Sequence, residues 1–128
     1  MAKNVIFEEG DNLSVICTQP ASPVSGDPVL FGDLPGVAIT SMGGGGNAAT
    51  KTSVQFEGVV EVSVKGVNAG GNSAVAAGDV IYYVAGDTPP LSKKATGVRY
   101  GVAMGLPTQT GNLITAGSTA TIRVRIGY

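Results

Sequence analysis

The sequence predicts an all-β protein: a small antiparallel β-barrel or sandwich built from two related strand units with long Gly-rich loops. Three observations carry this. One phrase is written twice, as Ser25-Gly26-Asp27-Pro28-Val29 followed by Gly36-Val37-Ala38-Ile39, and as Ala77-Gly78-Asp79-Val80-Ile81 followed by Gly101-Val102-Ala103-Met104. Gly makes up 20 of 128 residues and is scattered between short runs of Val, Ile, Tyr and Phe, which fit a pleated, half-buried surface. No stretch carries apolar residues at helical spacing over the roughly 10 residues that a helix needs.

Taken in order, Asn4 to Phe7 reads as a short first strand and Glu8 to Asn12 as a turn. Leu13 to Cys17 is the second strand, with Leu13, Val15 and Cys17 sharing a face. Pro20 and Pro23 remove ladder donors and mark a loop. Val29 to Phe31 and Val37 to Ser41 form the first repeated unit. Gly43 to Gly46 reads as a flexible loop tip. The longest strand signal follows. Val54, Phe56, Gly58, Val60, Val62 and Val64 take one face and Gln55, Glu57, Val59, Glu61, Ser63 and Lys65 the other, a period of two, with a bend expected at Gly58. Residues 67–77 read as a loop or a short turn of helix. Val80 to Val84 and Val98 to Met104 form the second unit. Gly26 to Gly36 spans 10 residues and Gly78 to Gly101 spans 23, so residues 85–97 are expected to project as a loop or hairpin. Gly105 to Gly117 is a polar connection with an apolar pair at Leu113-Ile114. Ala120, Ile122, Val124, Ile126 and Tyr128 take one face of a last strand.

The length suits one domain, residues 1–128. Apolar residues are 43% and mean hydropathy is +0.25, enough for a core without disulfides. Charged residues are only 13%, against an ordinary share of about 25%. A surface so poor in charge is open to association, so part of it is expected to be covered by other chains. Net charge is −1, and Lys93-Lys94 is the sole adjacent basic pair, expected in a solvated loop. Nucleic-acid binding needs a concentrated positive footprint, which is missing. No apolar run reaches the ~18 residues of a membrane span, and Met1-Ala2-Lys3-Asn4 leads into no signal-peptide core. Synthesis in a host cytoplasm is the expectation.

Reactive constellations are also missing. The chain has no His, and Cys17 has no partner base, so the thiol reads as a small buried hydrophobe. Zinc would lack a ligand set, and Glu8-Glu9-Gly10-Asp11 lacks the spacing of a strong Ca²⁺ loop. Gly45 to Thr52 nearly matches a phosphate-binding loop. Thr50 stands where the second Gly must be, and Lys51-Thr52 opens a strand instead of a helix. Glu57 and Glu61 on one strand face would stand ~13 Å apart, beyond the ~5–9.5 Å of a glycosidase pair. Asp27 and Asp79 read as turn residues. No catalytic residue, cofactor, metal site or small-molecule substrate is expected.

The order of these motifs, from Met1-Ala2-Lys3-Asn4 and Glu9-Gly10-Asp11 through the two Gly-Asp phrases, Phe56-Glu57-Gly58-Val59 and Tyr82-Tyr83 to Ile122-Arg123-Val124-Arg125-Ile126, resembles the DUF2190 family of tailed-phage capsid cement or decoration proteins. The resemblance runs over nearly the whole chain. The run of four glycines and the Pro89-Pro90 loop depart from it. It implies a homotrimer or similar small oligomer on the outer surface of an icosahedral head, with the major capsid protein as partner. Some members are labelled recombinases of the RecA/RadA type, which the incomplete phosphate loop and β-only pattern oppose. The alternatives are another virion structural role, such as a head fibre base, or a host-surface binding module. A binding module would need aromatics on an exposed face, and most aromatics here fall on core-facing strand positions.

Residues 1–10 are expected either to form an edge strand or to extend as an N-terminal arm. Asn4, Val5, Ile6 and Phe7 are the candidate partner-binding residues. Alternation would bury only Val5 and Phe7 on one face, leaving Ile6 outward, and a terminus frays unless tied down. Strand addition to a neighbour would tie it.

Overall fold

A computed structural model describes residues 12–105 and 112–127. Among these residues there is no helix. The first sheet comprises β1 (Asn12–Val15), β2 (Pro28–Phe31), β3 (Leu34–Ala38) and β4 (Thr52–Gln55), in the order β1-β4-β3-β2 and antiparallel throughout. After Gly58 the chain enters β5 (Val59–Lys65), then two short ladder strands, β6 (Val67–Asn68) and β7 (Gly71–Asn72), then β8 (Val75–Ala76). β9 (Val80–Tyr83), β10 (Leu91–Ser92), β11 (Val98–Met104), β12 (Asn112–Ile114) and β13 (Thr119–Ile126) complete it. A closed barrel has the order β10-β5-β13-β11-β9. All its pairings are antiparallel except β10 with β5, which is parallel. β6 pairs with β7, and β8 with β12.

The repeated phrase folds the same way twice, down to individual hydrogen bonds. In the first copy the Asp27 amide donates to the Val24 carbonyl (2.9 Å), and the Val24 amide donates back to Asp27 Oδ2 (2.9 Å). In the second, the Asp79 amide donates to Ala76 O (3.1 Å), and the Ala76 amide to Asp79 Oδ2 (2.8 Å). The glycine before each Asp has φ +92°, the positive value that this turn demands of its third residue. Each turn then starts a ladder in the same register. Gly26 and Gly78 amides donate to Ala38 O and Ala103 O, and Ala38 and Ala103 amides donate to Asp27 O and Asp79 O.

The correspondence extends to all four strands. Val29 faces Gly36 as Ile81 faces Gly101. Ala38 faces Val54 as Ala103 faces Val124, and those partners face Leu13 and Val60 in turn. Thus β1-β4-β3-β2 matches β5-β13-β11-β9, strand for strand and in the same chain order. Leu13, Val15 and Cys17 correspond to Val60, Val62 and Val64 on the inward face. Each unit has its own core. Val29, Ala38, Val54 and Phe56 fill the first, with Leu13, Val15 and Cys17 against them. Val62, Val64, Ile81, Leu91, Val124 and Ile126 belong to the larger second core. Full burial of each such side chain stabilises by roughly 1.5–3 kcal/mol before entropy is counted.

Two features join the units. β2 alternates between them: Val29 packs in the first core, while Leu30 packs in the second. In addition, β11 carries a bulge between Arg99 and Gly101 that β3 lacks. The extra residue is Tyr100, fully buried, whose hydroxyl donates to Gly36 O at 2.7 Å. The bulge re-aims one side chain across the junction.

Several expectations need correction. The long alternating run is two strands in two sheets, because Gly58 at φ +112° turns the chain out of the first unit. Its inward face is nonetheless conserved across the break, since Val54, Phe56, Val62 and Val64 are all buried. The strand expected at Val37 to Ser41 begins earlier, at Leu34, because Gly32-Asp33 makes a two-residue hairpin. Gly32 has φ +62°, and no non-Gly residue has positive φ, which is the pattern of the type II′ turn. Residues 67–77 hold three short strands in place of the expected loop or helical turn. Residues 85–97 fold back, so that Leu91-Ser92 closes the barrel between β5 and β9. The glycine loop at 43–46 is pinned by Asn47, whose Nδ2 donates to Thr40 Oγ1 (3.2 Å) and Ser53 Oγ (2.9 Å), and whose Oδ1 accepts from Ser14 Oγ (2.7 Å). The strand expected at Asn4 to Phe7 lies outside the described residues.

Candidate functional site

The side chains with chemical potential are dispersed and mostly occupied in structure. Cys17 points toward the first core; burial pushes its thiol up, partly offset by the hydroxyl of Thr52. Tyr83 is likewise pushed up, first by burial, then by Asp27 and Cys17. Tyr100 is pushed far up, mainly by burial and secondarily by Tyr83. A thiol and two phenols held in their neutral forms make poor nucleophiles.

The near-match to a phosphate loop ends at an exposed Lys51, and Thr52 enters β4 fully buried. No helix N-terminus stands there to receive phosphate. Glu57 lies between the two units and Glu61 on β5, so they do not share one continuous strand. Glu61 instead approaches Arg123 Nε at 3.5 Å, at an exposed position. Lys93 and Lys94, expected from sequence to be a solvated loop pair, are both engaged. Lys93 Nζ meets Asp79 Oδ2 at 3.2 Å and donates to Ala74 O at 2.9 Å, while Lys94 Nζ meets Asp87 Oδ2 at 2.7 Å. Lys93 therefore ties the 84–97 excursion to the turn before β9, and Lys94 braces the excursion internally. Among the described residues no group of three or more His, Cys, Asp or Glu could share a metal ion. Among the described residues no helix is long and apolar enough to cross a membrane.

The clefts are shallow and lack convergent reactive groups. One of ≈ 430 Å³ lies on the outer barrel face beside Glu61, Met104, Leu113 and Arg123. Another, of ≈ 260 Å³, runs along the junction of the units beside Gln19, Asp27, Tyr83 and Pro90.

What the surface does offer is exposed apolar area, unevenly divided. Ile16, Val24, Phe31, Leu34, Ile39 and Met42 are exposed in the first unit, against Val59 and Met104 in the second. Charge has the opposite distribution. Between residues 12 and 55 only Asp27, Asp33 and Lys51 are ionisable acids or bases of the Asp, Glu, Lys and Arg types, and none of them is in an ion pair given above. Sequence reasoning missed Phe31 and Leu34 as surface residues. The available signal was Gly32-Asp33, a two-residue hairpin turn that puts its flanking pair at a tip. The candidate partner-binding residues Asn4, Val5, Ile6 and Phe7 lie outside the described residues. The chain leads from them into β1 at Asn12, opposite Gln55.

No curated protein and no solved structure matches the chain. The family of phage cement proteins matches it over residues 7–126, which takes in both strand units and the junction between them. An all-β chain of two packed units, poor in charge and without a reactive cluster among its described residues, is consistent with that structural family, and by the extent of the match the chain belongs to the phage cement proteins.

Proposed function

We propose that this chain is a capsid cement protein that binds the outer surface of an icosahedral phage head across capsomer junctions and stabilises the assembled shell. The observation that carries the reading is the family match over residues 7–126. The motif order also fits the DUF2190 group, and with it a homotrimer or similar small oligomer. Physically, a protein that binds only the intact junction stabilises it by mass action, in proportion to the logarithm of its concentration over the dissociation constant. Many identical contacts of modest strength are then sufficient, and no catalytic residue is required. The low charge and exposed apolar side chains of the first unit support a surface made to be covered.

The N-terminal segment supplies a second contact in this reading. Asn4 to Phe7 pairs as a strand with a neighbouring subunit or the capsid protein, backbone bonds giving affinity and Val5, Ile6 and Phe7 giving register. The experiment is co-sedimentation with undecorated heads. The full chain is expected to bind in a saturable, stoichiometric amount and to raise the temperature at which heads open. Deletion of residues 2–7 is expected to leave an unchanged circular dichroism spectrum and to abolish binding. Failure of the full chain to bind heads would overturn the cement reading; normal binding by the folded truncation would remove the arm alone.

A further inference from the structure

The two units differ at one pair of equivalent positions in a way that bears on how the protein docks. Phe31 and Leu34 face one another across the last rung of β2 and β3. Their counterparts Tyr83 and Val98 face one another across β9 and β11. Tyr83 is 5% exposed, because the chain that leaves it loops over and lays Leu91 beside it. Lys94 and Asp87 clamp that excursion at 2.7 Å. Leu91 itself is fully buried. In the first unit the same connection is only Gly32-Asp33, and the register of the Gln19–Leu30 bridge puts the short, polar Thr18 where Leu91 stands in the second, so the pair is only half covered. Phe31 and Leu34 are each 46% exposed. The tip is also held in place: the Gly32 amide donates to Thr18 Oγ1 at 2.8 Å, two residues beyond the exposed Ile16.

We infer that Phe31 and Leu34 form the principal contact with the phage shell, receiving from the capsid protein an apolar side chain that plays the part Leu91 plays within the second unit. This deepens the proposed function and rests on it. The occupant follows from three observations. The internal copy shows that this rung is completed by an apolar residue arriving from outside the hairpin. The backbone edge of β2 beside the tip is already taken, since Gln19 pairs with Leu30, so the partner inserts a side chain and does not add a strand. The first unit is nearly free of charge, and its one charge at the tip is the exposed Asp33, so the surface it meets is apolar around Phe31 and Leu34 and leaves that carboxylate at its rim. The family's association with the capsid supplies such a partner. Anchors of this type, a rigid aromatic and a neighbouring aliphatic, concentrate binding energy in few residues.

The test compares Phe31→Ser and Leu34→Ser, singly and together, with the control pair Val59→Ser and Met104→Ser, exposed on the second unit. Binding to undecorated heads is measured by co-sedimentation over a concentration series, with circular dichroism and sedimentation velocity on the free protein. The tip variants are expected to keep their fold and oligomeric state and to bind about tenfold more weakly or worse, while the control pair stays within about threefold of the parent. Parent-like binding by the folded double tip variant overturns the inference and leaves the cement function standing. Loss of the parent's oligomeric state in the tip variants also overturns it, by assigning the tip to a second copy. Failure of the parent chain to bind heads removes both. Should the double variant not fold, Phe31→Lys alone is read in the same assay, and parent-like binding by it is equally decisive against the inference.

Discussion

The same four-strand unit occurs twice in this chain, once nearly open and once closed. In the second unit β10 bridges β5 and β9 and completes a barrel around Tyr83, Leu91 and Val64. In the first, the continuation of β1 bends and meets β2 and its hairpin turn only at Thr18 and Gln19. The closed unit has most of the ion pairing and a large core; the open one has a small core and most of the exposed apolar side chains. Matching turns, and registers that differ only by the bulge at Tyr100, thus end in different surroundings. Closure is a property of what lies between strands, since a two-residue turn and a 14-residue excursion connect equivalent positions. The second unit satisfies itself and can serve as the scaffold, while the first is left with surface to be used.

Breaking the closed unit is expected to have the largest effect. Gly101 and Gly36 are equivalent, and a Cβ at either would collide with the next strand. At Gly101 it would strike the Arg125 carbonyl, which cannot move without breaking the β11–β13 ladder. At Gly36 it would meet the Val54 side chain at 2.5 Å and Gln55 O at 2.8 Å. Gly101→Ala is expected to prevent folding or to cost more than about 3 kcal/mol, and Gly36→Ala about 1–3 kcal/mol, as read from urea unfolding. A smaller cost at Gly101 than at Gly36 would reverse the ranking of the two units.

Next in size is Leu91→Ala, which removes a fully buried side chain from the strand that closes the barrel. The expected loss is about 2–5 kcal/mol. The equivalent rung in the first unit lacks such a residue, so Phe31→Ser should cost within about 0.5 kcal/mol in the isolated protein. Similar losses for the two would show that the first unit is covered within the molecule after all.

The turns sharpen the comparison at about 1 kcal/mol. Asp27 and Asp79 accept the same backbone hydrogen bond, but Asp79 also meets Lys93. Asp79→Ala is expected to destabilise by about 1–2 kcal/mol and Asp27→Ala by about 1 kcal/mol or less. A double-mutant cycle with Lys93→Met isolates the ion-pair share, which partial exposure keeps small.

The junction is tested by Tyr100→Phe, which deletes the hydrogen bond to Gly36 O and leaves the ring. A loss of about 1 kcal/mol is expected, more if the Gly36 carbonyl finds no water. The pH dependence has a definite sign. Folding raises the Tyr100 pKa from its ordinary value near 10, so above that pH the unfolded chain releases a proton that the folded chain retains. Stability is complete below about pH 10 and falls as pH rises further. Tyr100→Phe should flatten that alkaline fall in a stability–pH profile. The smallest expected effect is Lys51→Ala, at an exposed loop end: no measurable change in stability or head binding. ATP hydrolysis by the parent, abolished in that variant, would overturn the non-enzymatic reading.

Much of the architecture was legible in local pattern. The alternation of Val60, Val62 and Val64 and of Ile122, Val124 and Ile126 fixes their inward face whatever they pair with, because side chains on a strand alternate strictly. The Gly-Asp phrases announced equivalent turns, since positive φ at the third position and a carboxylate reaching back three residues are both local requirements. The surface role of Phe31 and Leu34 was hidden because exposure depends on what a distant segment does. Asn4 to Phe7, read from sequence as the partner-binding residues, lie outside the described part.

By itself the sequence determined that this chain is all-β, that a phrase of one turn and two strands is written twice, and which face of each long strand is apolar; that the copy extends to four strands came from the pairing. Tertiary structure alone decided that Gly58 separates two sheets, that Leu91 closes one unit and leaves the other open, and that Tyr100 reaches across to Gly36. The reason is range. Turn chemistry and a period of two act between residues close in sequence, whereas strand partners are chosen by burial summed over segments tens of residues apart.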